Sequence, residues 1–91
     1  MFVDINPMDR YLELAAIAPS ARKHGISDED MTHALKHYLF PIATDDPEVI
    51  IYVGPSRTAE PLEIGVLDDD DGLAVIHAMP ARLKLLKGVW N

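Results

Sequence analysis

No cysteine occurs in the chain. That excludes a disulfide framework, a thiol nucleophile and a thiolate metal site, and it fits a cytoplasmic location. Long hydrophobic runs are also missing. The longest, such as 49–53, stop far short of the roughly 20 apolar residues that a helical membrane span needs. No basic start leads into an apolar stretch, so no secretory signal and no membrane partner is expected. Past Asp71 there is no carboxylate. All fifteen acids lie at or before that residue, and the last four form the run Asp68, Asp69, Asp70, Asp71.

The segment after that run is basic. Arg82, Lys84 and Lys87 come after His77, so residues 72–91 carry +3 while 1–71 hold five basic and fifteen acidic side chains, a net of −10. The overall charge of −7 argues against general nucleic-acid binding, which is driven by counterion release from phosphates. The cationic segment is then the one place prepared for an anion such as a phosphate. Ninety-one residues make a single domain spanning 1–91, with an apolar and charged balance of the ordinary globular kind.

Along the chain, Phe2 to Ile5 reads as a short first strand and Asp9 to Ala18 as a helix, which Pro19 ends. Ser20 to His24 reads as one further helical turn, closed by Gly25. Ser27 is the clearest helix start, because its hydroxyl can cap and Asp28, Glu29 and Asp30 complement the helix dipole. Met31, Ala34, Leu35, Tyr38 and Leu39 then recur at helical spacing, predicting one buried face up to Pro41. Beyond it the spacing becomes strand-like: 49–53, 62–67 and 73–78, with Asp71-Gly72 as a hairpin pair. Pro80 can begin a last helix through Leu83, Leu85 and Leu86. The expected fold is α+β: N-terminal helices, a three-stranded antiparallel sheet and a short C-terminal helix.

Several residues carry candidate chemistry. His77 ends the third strand, Pro80 turns the chain, and Arg82 and Lys84 come within one or two helical turns of it. An imidazole exchanges protons near neutral pH, and the two cations can stabilise phosphate charge. His77, Arg82 and Lys84 are therefore the candidate catalytic group for RNA cleavage through the 2′-hydroxyl. Arg57, in the Gly54-Pro55-Ser56-Arg57 loop, is a candidate phosphate contact. His33 and His37 stand four apart but read as surface histidines opposite the buried face, and no metal site is expected. The aspartate run reads as solvated turn residues.

The string Arg22-Lys23-His24-Gly25-Ile26-Ser27, leading into an acidic capped helix, resembles the "KHGVS" segment of BrnT-like toxins from bacterial toxin–antitoxin pairs. Glu63-Ile64-Gly65 and the passage from Ala74 to Arg82 resemble the same family. The likeness spans roughly residues 20–86. It implies a RelE-type fold and a ribonuclease held inactive by an antitoxin, with RNA or the ribosome as target and no cofactor. Lys23 and His24 fall on the "KH" positions, as RNA- or phosphate-binding residues, while His77 and Arg82 fall on polar positions around the last strand. The chain departs from such toxins in its net acidity and in lacking a late Glu and Tyr after Arg82. The alternative is a non-enzymatic domain whose acidic body binds a basic protein partner.

Overall fold

The computed structural model describes residues 12–86. Two residues, Ala16–Ile17, form β1, and a 3-10 turn comes next at Pro19–Arg22. Helix α1 spans Asp28–Lys36. Strand β2 is Phe40–Ala43, β3 is Val49–Pro55, β4 is Pro61–Asp69 and β5 is Gly72–Pro80. A last helical turn, α2, spans Leu83–Leu86. The sheet has five strands in the order β1-β5-β4-β3-β2. Neighbours from β2 to β5 pair antiparallel, whereas β1 pairs with β5 in parallel.

The expected three-stranded antiparallel sheet with N-terminal helices is thus corrected to a five-stranded mixed sheet with few helices. The three strands read from the sequence are β3, β4 and β5, and the two additions sit at the edges. At one edge, the segment expected to continue a helix to Ala18 becomes β1. Ala18 precedes Pro19 and so avoids helical dihedrals, and its N–H donates instead to the Val75 carbonyl at 2.9 Å. At the other edge, the helix expected to reach Leu39 stops at Lys36. Pro41 disfavours the α conformation at Phe40 and lacks an N–H; the Leu39 N–H bonds Val53 O at 2.8 Å, and the chain enters β2. An edge strand tolerates that proline. Leu39, expected in the core, is 59% exposed. The expected strand at Phe2–Ile5, the start of the first expected helix and the residues after Leu86 lie outside the described residues.

Helix α1 begins as its cap demands: the Asp30 N–H donates to Ser27 Oγ at 3.1 Å. It buries Met31, Ala34 and Leu35 against Leu62, Ile64 and Val66 of β4 and Val75 and Ala78 of β5. Each large apolar side chain so buried contributes on the order of 1.5–3 kcal/mol. Alternation along the strands sends the neighbouring residues to the opposite face. By register, Phe40, Val53, Glu63 and Met79 form one cross-strand row there, and Ile42, Ile51, Gly65 and His77 form the next.

Candidate functional site: a buried glutamate shared by His77 and Arg82

Glu63 is the only acid of β4 before the aspartate run, and its side chain is fully buried. Three groups from two later segments converge on it. His77 Nε2 lies 2.9 Å from Oε2. The Arg82 backbone N–H and Nε donate to Oε1 at 3.1 and 2.9 Å, and Arg82 Nη2 donates to Oε2 at 3.0 Å. Burial alone would push the Glu63 carboxyl up, but the hydrogen bonds from Arg82 and His77 outweigh it and hold the group below its ordinary value. The same bond to Glu63 raises the Arg82 guanidinium.

An ionised carboxylate only accepts, so His77 Nε2 carries the hydrogen and its Nδ1 is the position left for other chemistry. His77 remains 34% exposed and Arg82 46% exposed, so both reach solvent while their shared anchor does not. Arg82 spends Nε and one Nη2 hydrogen on Glu63, which leaves three guanidinium donors.

His24 completes the cluster. Its ring centroid is 6.1 Å from that of His77, with the planes at 77°. The 3-10 turn brings it there: Ser20 Oγ donates to Ile76 O at 2.9 Å and Ala21 is buried in the core. The Gly25 N–H then closes on Arg22 O at 3.1 Å, at a φ of +77° that glycine tolerates. Lys23 is exposed beside it.

The remaining candidates do not join the Glu63 cluster. Lys84 is exposed on α2 and is not among the groups that bond Glu63. Arg57 is committed to the start of α1, on the other side of the sheet. Its N–H and Nε both donate to Asp30 Oδ1 at 2.9 Å, which lowers the Asp30 carboxyl and raises Arg57. His33, expected at the surface, is half-buried, and its Nδ1–H donates to Pro55 O at 2.9 Å. Among the described residues no group of three or more potential metal ligands occurs.

The chain matches no protein-family model, no curated protein and no solved structure.

Sequence alone does not single out Glu63 as a site residue. Its one signal is a lone acid inside an otherwise apolar strand, 62–67, a place where a carboxylate persists only when paired. Gly65 carries a second signal. It stands opposite His77, and a Cβ there would come within 3.1 Å of the His77 Cβ and 3.7 Å of its ring. The missing side chain lets the imidazole lie over β4 and reach Glu63. Gly65→Ala is expected to cost about 1–3 kcal/mol through overpacking and to break the His77–Glu63 bond. Urea titration checks the first effect, and the shifted His77 ring N–H resonance in NMR checks the second.

Acidic side chains crowd one end of the sheet. The β2–β3 and β4–β5 turns share one end, where the Asp68 N–H donates to Glu48 O at 2.8 Å. Asp45, Asp46, Glu48 and Asp68 to Asp71 crowd there, and none of them forms an ion pair among the described residues. The Glu63 cluster lies toward the opposite end, near the starts of β4 and α2.

Proposed function

We propose that this chain is an RNA-cleaving toxin of a toxin–antitoxin pair, kept inactive by a protein partner. The observation that carries the reading is the buried Glu63 carboxylate, which holds the His77 imidazole and the Arg82 guanidinium side by side at the surface, groups suited to proton transfer and to phosphate binding. RNA scission through the 2′-hydroxyl needs both functions: proton transfer and stabilisation of the charge that grows on the phosphate. Glu63 fixes the His77 tautomer and balances the imidazolium formed when Nδ1 takes a proton. Arg82, anchored through one edge of its guanidinium, presents its remaining donors to phosphate oxygens. Lys23 and Lys84 add positive charge near an incoming backbone. The resemblance of the segments around Lys23-His24 and His77 to BrnT-like toxins supports the same reading.

Expression of the chain alone is expected to arrest bacterial growth and degrade RNA, and co-expression of its antitoxin to reverse both. His77→Ala and Arg82→Ala should each reduce RNA cleavage about 100-fold or more. Because Arg82→Ala strands the buried Glu63 carboxylate, it should also lower stability by about 3–5 kcal/mol, and its activity is compared at a temperature where circular dichroism shows it folded. Lys84→Ala should have a much smaller effect. A folded wild-type protein that neither arrests growth nor cuts RNA would refute the toxin reading. The acidic end of the sheet would then favour a non-enzymatic domain that binds a basic partner in a salt-sensitive way.

A further inference from the structure

We infer that His24 is the second proton-transfer group of this site, acting with His77 on opposite oxygens of one RNA phosphodiester. The inference rests on the RNA-cleaving reading and assigns the two proton transfers of that cleavage to two separate side chains.

Scission at phosphorus needs a base for the attacking oxygen and an acid for the leaving one. His77 alone, with Nε2 tied to Glu63, offers a single working nitrogen. The second imidazole stands where the other proton is needed. The centroid separation of 6.1 Å and the steep 77° angle leave the rings too far apart to bond one another, yet close enough to share a phosphate. His24 is exposed, and among the described residues no hydrogen bond commits either of its nitrogens. Its position is nevertheless fixed by the backbone, through the Ser20 bond to Ile76 and the closing turn at Gly25.

In the step, neutral His77 takes the 2′-hydroxyl proton at Nδ1 as the 2′-oxygen bonds to phosphorus. The bond from phosphorus to the 5′-oxygen breaks, and that oxygen takes a proton from protonated His24. The products are a 2′,3′-cyclic phosphate and a 5′-hydroxyl, with protons and charge balanced and no co-reactant. Arg82 holds the phosphate oxygens as negative charge builds on them.

A leaving group that needs no proton separates the two roles. The full chain is assayed on an oligoribonucleotide and on uridine 3′-(4-nitrophenyl phosphate), whose nitrophenolate departs unprotonated. His24→Ala is expected to lose about 100-fold or more on the oligoribonucleotide but to retain most of its rate on the nitrophenyl ester. His77→Ala should lose on both substrates. Mass spectrometry of the wild-type products should show the cyclic phosphate. A wild type that cleaves both substrates, with His24→Ala either unimpaired or impaired equally on the two, would overturn the pairing and leave the RNA-cleaving reading intact. A wild type that cleaves neither would overturn both.

Discussion

Replacing Gly54 by valine is expected to prevent the domain from folding, and even Gly54→Ala should remove about 3 kcal/mol or more, at the top of the usual range for overpacking. Gly54 lies in β3 directly beneath α1. A Cβ at this position would overlap the Ala34 carbonyl oxygen and stand 3.0 Å from both the Ala34 carbonyl carbon and the Tyr38 Cα. All three are backbone atoms, so no side-chain rotation relieves the clash. The helix would have to lift from the sheet, and Met31, Ala34 and Leu35 would lose their contacts with Leu62 and Ile64. A domain of this size holds only about 5–14 kcal/mol of net stability, too little to absorb that loss and the added bulk of valine. Urea denaturation monitored by circular dichroism measures the effect. Trimming the neighbour with Ala34→Gly should not rescue the variant, because the obstructing atoms belong to the main chain. An unchanged midpoint for Gly54→Ala would show that α1 does not sit on this strand.

The second large effect is expected at Glu63. Glu63→Gln keeps the shape but removes the charge that binds Arg82 and His77, and should cost about 2–3 kcal/mol at neutral pH, as expected for charge-assisted hydrogen bonds. Arg82 can swing into solvent, which keeps the loss below that of stranding a buried charge. The effect depends on pH with a definite sign. The carboxyl is held below its ordinary value in the folded chain, so its contribution is complete above the unfolded carboxylate pKa of about 4.3. It is lost as pH falls through the lower folded value. The stability gap between wild type and Glu63→Gln should therefore be full at pH 7 and shrink on acidification below about pH 5. Denaturant midpoints of the two proteins across that range test it; a gap that widened in acid would reverse the assignment. On the RNA-cleaving reading proposed above, cleavage should fall with the same substitution, because His77 then loses both its fixed tautomer and its counter-charge.

Local signals account for the part of the fold that is legible in the sequence. Ser27, the three acids after it and the spacing of Met31, Ala34 and Leu35 define α1 within a dozen residues. Strands β3 to β5 emerge from the β-branched run at 49–53, the alternation of Leu62, Ile64 and Val66, the apolar run 73–78 and the turn at Asp71-Gly72, since neighbours in a meander are also neighbours in sequence. The edges are hidden for the opposite reason. Strand β1 is two residues long, and its pairing of Ala16 with Ala74 leaves no trace in local periodicity. Strand β2 contains Pro41, which reads as a terminator and also marks an edge. At the site, His77 and Arg82 stand out by charge. Their meeting point does not, because Glu63 lies 14 and 19 residues from them in the chain and is joined to them only by strand register.

The separation of charge along the sheet bears on how a polyanion could approach. Glu63 and Asp68 are five residues apart on one strand, roughly 17 Å at about 3.3 Å per residue. At physiological ionic strength electrostatic influence fades over about 8 Å, whereas in dilute salt of about 0.01 M it extends about 30 Å. In the first regime the cations around Glu63 act on a nearby phosphate almost free of the aspartates at the far end. In the second the aspartates reach the site and oppose the same phosphate. Salt thus weakens the attraction and the repulsion together, and a nucleic acid held here should show a flatter ionic-strength response than one on a uniformly basic surface. The far end also refuses a long strand lying along the sheet. For the RNA proposed above, that would leave a short footprint of a few nucleotides.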